Sequence, residues 1–291
     1  MKELKKAIIP IAGLGTRFLP LSKVLSKELW PIVDLPIIQY ILEEARESGV
    51  KEIIFVVAPG DKKILDYLKP SPKLEKILKE RKKKDLLVEL KKIEESFKNI
   101  SFSYVLQKKP LGDGHAILQA ARNIGDDFSA CLFADDLVDS KTPCLLQLAR
   151  VFKTCQKPVV ALYSLPKDKI SSYGAVRVEK IASRLYKIKE IVEKPLPEKS
   201  PSNLAIVGKY ILTPEVFAYL KKAKPSEKGE IILAEVLNKM LKDGKVIYGY
   251  EFEGKWLECG KKLDWLKSNL YFSLKHPQYG PELKNFLKEI K

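Results

Sequence analysis

Glycines and cations are concentrated in Ala12-Gly13-Leu14-Gly15-Thr16-Arg17, directly after the apolar run Ala7-Ile8-Ile9-Pro10-Ile11. A strand that breaks into glycines lets backbone N–H groups approach a ligand closely, because glycine has no Cβ in the way. Arg17 adds a permanent planar cation suited to phosphate oxygens, and Lys23 and Lys27 follow at loop distance. The pattern predicts a polyphosphate site. Two common phosphate loops are excluded: a dinucleotide fingerprint needs a third glycine where Phe18 stands, and a P-loop needs Gly-Lys-Ser/Thr at this place.

Three further groups have suitable chemistry. Asp135-Asp136 ends the apolar run Phe128-Ser129-Ala130-Cys131-Leu132-Phe133-Ala134, where an open parallel sheet presents its ligands. Carboxylates there suit Mg²⁺, which bridges carboxylates and substrate phosphates. Side-chain alternation lets only one of the pair face a given site, and Asp135, directly off the strand, is the expected ligand. Gln107 ends another strand-like run, and its amide offers a donor and an acceptor for a nucleobase edge. Glu193-Lys194-Pro195 follows a third, where a carboxylate can hold sugar hydroxyls and an ammonium a sugar phosphate.

The elements that must position these groups alternate. Ile37 to Ala45 has helical periodicity and runs out at Gly49; Glu52 to Ala58 is a buried strand closed by Pro59-Gly60. This strand–helix–strand order is the unit of a parallel sheet. Ser101 to Gln107 supplies another strand, and Gly112-Asp113-Gly114-His115 leads into a helix through Ala121. Beyond it, residues 173–178 and 187–192 alternate like a sheet with one polar face, residues 203–212 return to the core, and Thr213-Pro214-Glu215 is a helix start with Thr as cap. The expected architecture is α/β: a doubly wound, mostly parallel, Rossmann-like nucleotidyltransferase sheet with appended sugar-side β elements. The whole chain, 1–291, reads as a single domain. Residues 1–140 form a nucleotide-binding half with a helical insertion at 62–98, residues 141–270 a sugar-phosphate half, and residues 271–291 a tail.

Taken together, Gly13-Leu14-Gly15-Thr16-Arg17-Phe18-Leu19-Pro20, Lys27-Glu28, Pro31-Ile32-Val33-Asp34, Gly112-Asp113-Gly114-His115-Ala116, Asp135-Asp136, Glu193-Lys194-Pro195 and Val207-Gly208-Lys209-Tyr210 resemble the bacterial UTP–glucose-1-phosphate uridylyltransferases. The resemblance runs over nearly the whole chain, and the long insertion before residue 101 resembles the uridylyl branch rather than the shorter thymidylyl relatives. It implies uridylyl transfer from UTP to glucose 1-phosphate with Mg²⁺. Ala12, Gly13, Gly15, Gln107 and Gly112 would then hold the nucleotide, and Arg17 and Lys27 the triphosphate. Gly174, Glu193, Lys194, Val207 and Gly208 would surround the sugar phosphate, and Asp135 and Glu258 would hold the metal. The chain also departs from the pattern: Ser26 replaces a proline, Leu29-Trp30-Pro31 a Leu-Pro, Glu258 the aspartate of Asp-Cys-Gly, Ile232 a glutamine, and Ala234-Glu235 a Thr-Asp. These changes motivate a rival reading, a non-catalytic regulatory homologue. Another is the same chemistry with dTTP or another hexose 1-phosphate.

Composition narrows the partners. With 291 residues and 45% hydrophobic content the chain can fill a large core, and no apolar run approaches the ~20 residues of a membrane span. Lys5 and Lys6 before an apolar stretch superficially resemble a signal peptide, but the stretch stops at Gly13 and Arg17 without a cleavage site, so the expected location is cytoplasmic. Cys131, Cys144, Cys155 and Cys259 lack metal-ligand spacing and read as reduced thiols. Two histidines, His115 and His276, make a His-based metal site or triad improbable. The net charge of +16 invites a nucleic-acid reading. Much of the excess lies in residues 62–98, however, where Leu86, Leu90, Ile93 and Phe97 recur at helical spacing among charges of both signs. No aromatics interleave there as a base-stacking platform requires. The segment is expected to be a solvated face or a subunit contact in a homodimer or homotetramer, with no nucleic-acid partner. Duplex DNA should therefore bind weakly, without sequence preference, and be released at moderate salt in a filter-binding titration; tight, salt-resistant binding would contradict this.

Overall fold

The computed structural model describes residues 3–227 and 229–290. The strands in chain order are β1 (Lys6–Pro10), β2 (Pro31–Ile32), β3 (Leu35–Pro36), β4 (Glu52–Val57), β5 (Ser101–Leu106), β6 (Ser129–Leu132) and β7 (Asp136–Asp139). Then come β8 (Val159–Ser164), β9 (Gly174–Ala182), β10 (Leu185–Glu193), β11 (Leu204–Leu212), β12 (Tyr248–Glu251) and β13 (Lys255–Glu258). Among the described residues, nine strands make one sheet in the order β5-β4-β1-β6-β11-β8-β12-β10-β9. The stretch from β5 to β6 is parallel throughout, with Ala7 opposite Ile53 on one side and Ala130 on the other. Past β6 the sheet is mixed: β11 runs antiparallel to β6 and β8, and β9 and β10 form an antiparallel hairpin. The alternating texture of residues 173–178 and 187–192 corresponds to the β9–β10 hairpin, which keeps exposed positions, whereas β11 is buried along its whole length.

Helices cover both faces of the sheet, and the pleat of β1 shows why. Ala7 and Ile9 point into one core with the helices Ile37–Glu47 and Cys144–Cys155, while Ile8 points into the other with Asp113–Gln119, Pro214–Lys222 and Leu233–Lys242. The first of these helices buries Ile38, Ile41, Leu42 and Ala45, one stripe at helical spacing. The helix at 214 starts at Thr213 and Pro214 as expected, but Thr213 makes no capping bond and its hydroxyl is buried without a partner among the described residues. The insertion forms three helices, Lys63–Leu68, Pro72–Glu80 and Lys84–Phe97. The insertion reaches the core at its two ends, through buried Ile64 in the first helix and through buried Phe97, with Ile93 packed beside it, in the last, whereas Leu86 is exposed, as are Leu74, Ile77 and Val88. Its lysines are partly offset by local pairs, Lys79 and Lys91 sharing Glu75. Among the described residues no helix is long and apolar enough to cross a membrane.

One buried ion pair ties these layers together. Lys209 on β11 is fully buried, and its Nζ lies 2.7 Å from Glu44 Oε2, while Glu44 Oε1 accepts the backbone N–H of Leu145 at 2.9 Å. A central strand and two helices thus meet on one carboxylate. Removing a single partner strands the other charge in a dry interior, which costs about 3–5 kcal/mol, whereas replacing both with apolar groups is far milder. Lys209→Met should therefore lower the urea unfolding free energy by about that amount, and Lys209→Met with Glu44→Leu should recover much of it. Equal losses in the single and double variants would refute this role.

Candidate active site

The first parallel strand ends at Pro10, and its glycine loop borders a cavity of about 420 Å³, within the range of small-ligand sites. Ala12, Gly13, Gly15, Gln107, Pro110, Gly112 and Ala116 line it, so the residues expected at the nucleotide are brought together. Gly112 is required there on two counts. Its φ of +94° is left-handed, and a Cβ would stand 2.6 Å from the Ile231 carbonyl oxygen of the segment crossing the turn. The same segment receives the Gly114 N–H on the Ile231 carbonyl and is anchored through Asp113, whose Oδ1 accepts Gly114 N–H and, at 2.9 Å, Leu233 N–H. Burial pushes the Asp113 carboxyl up to about 6 despite these bonds.

At the mouth of this cavity the charged groups converge. Lys27 Nζ lies 2.5 Å from Asp135 Oδ2. Burial is the largest single influence on both partners and opposes their charge, but the surrounding charges and hydrogen bonds together outweigh it, so Asp135 is held below the usual carboxylate range and Lys27 above the usual ammonium range. A Cβ built on Gly260 would sit 3.0 Å from Asp135 Oδ2, 3.2 Å from Glu258 Oε1 and 3.7 Å from Arg17 Nη1. Gly260 therefore leaves open a cradle where a strand-end carboxylate, a second carboxylate and the loop guanidinium meet. Cys259 N–H donates to the Asp135 carbonyl at 2.7 Å and fixes the second carboxylate's loop against the first. Hard oxygen donors of this number suit an ion that completes its shell with phosphates and water.

Asp136 has a different task. Its Oδ2 accepts Gly208 N–H at 3.0 Å and its Oδ1 accepts the Trp256 indole N–H at 2.7 Å. Burial and then the neighbouring Asp135 push its carboxyl up to about 7. A Cβ on Gly208 would stand 2.3 Å from Asp136 Oδ2, so only glycine admits this contact.

Gly208 opens onto the third part of the cleft with Gly174, Glu193, Lys194, Tyr173, Trp256 and Glu258. Val207 is not on this wall. Strand alternation along β11 sends its side chain, with that of Lys209, to the opposite core, while Ile206, Gly208 and Tyr210 face the cleft. Lys194 borders both the part of the cleft lined by Arg17 and Lys27 and this part. Its φ of +48° places a non-glycine residue in the left-handed region, held by its N–H on the Tyr173 carbonyl, and its ammonium lies 3.0 Å from Glu193 Oε1.

The departures in sequence have local accounts. Ser26 donates to Asp61 Oδ2 at 2.9 Å, tethering the lysine loop in place of a ring. Trp30 packs edge-on between Phe18 and Trp265, with centroids at 4.5 and 5.0 Å. Ile232 and Ala234 line the cleft, whereas Glu235 is exposed and lines none of it. Glu258, longer than the aspartate it replaces, gives one oxygen to the Tyr173 hydroxyl and keeps the other toward Gly260. Burial raises its pKa, and the Tyr173 bond works against that shift. Tyr173, Trp256 and Asp113 also line the cleft, beyond the residues expected there from the sequence. Only Asp113, an acid opening a helix after a glycine, carried a local signal.

The nucleotidyl transferase family model matches residues 6–272. A UTP–glucose-1-phosphate uridylyltransferase of Staphylococcus haemolyticus (strain JCSC1435) is 41% identical over 290 residues, spanning 100% of this chain and 99% of that protein. A UTP-bound UGPase from Acinetobacter baumannii superposes with a TM-score of 0.90 at 36% identity, covering 99% of this chain and 100% of the other. A UDP-glucose pyrophosphorylase crystallised with UDP-glucose superposes with a TM-score of 0.84 at 37% identity, covering 94% and 100%. With its sheet, its glycine loop and its full length all matched, the chain belongs to the nucleotidyl transferase family, among the UTP–glucose-1-phosphate uridylyltransferases.

Proposed function

We propose that the cleft transfers a uridylyl group from UTP to glucose 1-phosphate, with uracil beside Gln107, the triphosphate at Arg17 and Lys27, and the sugar phosphate at Lys194. The observation that carries this layout is the Gly260 cradle, where Arg17, Asp135 and Glu258 meet between the glycine loop and the Lys194 wall. A phosphate oxygen of glucose 1-phosphate attacks the α-phosphorus as the bond to pyrophosphate breaks on the opposite side. Its second pKa is ~6, so the nucleophile is largely dianionic at neutral pH and needs no general base. The side chains near the cleft do not suit a covalent route. Lys27 is held as an ammonium by Asp135, and burial pushes the Cys259 thiol up to about 12.

Catalysis is then positioning and charge neutralisation. Arg17 and Lys27 bind the departing pyrophosphate, and Lys194 orients the attacking phosphate. Asp135 and Glu258 are the residues that would hold Mg²⁺, whose chemistry is neutralisation of phosphate charge. On UTP binding Lys27 is free to exchange one carboxylate oxygen for phosphate oxygens. The buried and half-buried free thiols fit a cytoplasmic enzyme. Exposed Leu74, Ile77, Leu86 and Val88 on the insertion suit a homodimer or homotetramer contact. Pyrophosphate release that requires UTP, glucose 1-phosphate and Mg²⁺ together is the direct check against a non-catalytic homologue.

Asp135→Asn should cut turnover by on the order of a hundredfold or more and cost less stability than loss of a Lys209 partner, because Lys27, 23% exposed, can be hydrated once its partner is neutral. Asp136→Asn should instead lower stability by about 1–3 kcal/mol, because the new amide presents N–H to a donor that the carboxylate had satisfied. Paired thermal melts and initial rates separate these, and equal rate losses at unchanged stability would favour shared metal coordination. Lys194→Ala should reduce the rate by on the order of 10²–10³ with UTP affinity preserved, whereas Lys27→Ala should weaken UTP. Calorimetry with UTP alone distinguishes them, and the opposite pattern would invert the placement of the two substrates.

A further inference from the structure

Two residues outside the cleft are bonded to the loop that carries Lys27. Lys27 opens the short turn Lys27–Leu29, with Ser26 at its N-cap position. A serine there ordinarily accepts a backbone N–H of the turn, but the Ser26 side chain makes no such bond. Its hydroxyl donates instead to Asp61 Oδ2 at 2.9 Å. Asp61 lies in the turn that follows β4, where its N–H donates to the Ala58 carbonyl at 3.2 Å. Its other oxygen, Oδ1, accepts the N–H of Lys63, the first residue of the insertion's first helix, at 3.2 Å. Lys63 Nζ in turn donates to the Val24 carbonyl at 2.6 Å. The lysine loop is thus gripped at two points, and neither Asp61 nor Lys63 lines the cleft. Because β4 pairs directly with β1, the grip refers Lys27 to the same sheet edge from which the glycine loop springs.

The backbone of Ser26 shows what the bond to Asp61 replaces. Its φ of −56° and ψ of 139° are the conformation that a proline imposes covalently, and its N–H donates to no protein acceptor among the described residues. Leu25 and Leu29 press the turn onto the core, but the ammonium of Lys27 is held at its far end only by Asp135 and the nearby Glu28. A triphosphate that takes the ammonium from Asp135 removes the shorter of these contacts. We propose that Asp61 is a positioning residue for UTP binding: through Ser26, and with Lys63 on the Val24 carbonyl, it keeps the Lys27 turn in place once the ammonium has left Asp135. The start of the insertion thereby acts on nucleotide binding, although no residue from 62 to 98 lines the cleft. This rests on Lys27 meeting the triphosphate.

The test is the UTP dissociation constant, measured by calorimetry on the full chain with Mg²⁺ present, over a cycle of variants. Asp61→Ala and Ser26→Ala should each weaken UTP about three- to tenfold, the worth of one hydrogen bond, and the double variant no more than either. Additive losses overturn the proposal. Deleting a negative charge beside a polyanion site would by itself tighten UTP, so unchanged or tighter binding in Asp61→Ala overturns it too. In a Ser26→Pro background, where the ring supplies the restraint and no hydrogen bond is lost, Asp61→Ala should cost nothing further. A purely structural role at the start of the helix would instead cost the same affinity in both backgrounds, against the proposal. Lys27→Ala separates the two levels. If Asp61→Ala still weakens UTP when Lys27 is absent, only the positioning role fails; if Lys27→Ala leaves UTP affinity intact, the placement of the triphosphate fails and the proposal with it.

Discussion

The Lys27–Asp135 contact is the interaction around which the cleft is organised. It joins the loop that follows the first strand to the end of the fourth strand of the parallel half, and it neutralises a carboxylate and an ammonium that burial would otherwise penalise. Each partner is poised to be exchanged. In the proposed reaction a triphosphate takes the ammonium and a hard cation the carboxylate, so the resting ion pair would hold in place two groups for substrate binding to separate. The depressed Asp135 pKa favours this, because the carboxylate remains charged well into the acidic range. Such a pair gives the site little net stability and a defined geometry.

Around that contact, glycines act by what they leave out. Gly260 leaves room where Arg17, Asp135 and Glu258 meet, and Gly208 admits the Asp136 carboxylate to its own N–H. Asp136 in turn holds the Trp256 indole, and the Trp256 ring packs edge-on against Tyr173, whose hydroxyl engages Glu258. A chain of contacts therefore runs from one strand-end aspartate to the second carboxylate. It also accommodates the length of the Glu258 side chain, because a tyrosine hydroxyl fixes one of its oxygens.

The parallel half was legible in the sequence because each of its signals is local. A strand breaking into glycines, an arginine at the end of the loop and acids at a strand end sit within a few residues of one another, and Arg17, Lys27 and Asp135 do share one cleft. The tyrosine–tryptophan support was not legible, since Tyr173 and Trp256 come together from distant strands and neither has a neighbour that marks it. Glu258 was reachable only through resemblance; alone, a glutamate before Cys-Gly carries no chemistry. Val207 shows the limit of carrying a motif over residue by residue, because strand alternation gives the cleft to its neighbours. The insertion's apolar stripe likewise predicted helices and not which end of the stripe would be buried.

In the proposed transfer the two substrates lie side by side and react in one direct, in-line step, with no side chain carrying the uridylyl group. The stereochemical course at phosphorus tests this without disturbing the protein. With UTP carrying a sulfur of defined configuration on the α-phosphorus, a single displacement by glucose 1-phosphate predicts inversion in the UDP-glucose analogue formed. Retention would require two displacements through a nucleotidyl-enzyme, and would contradict the account.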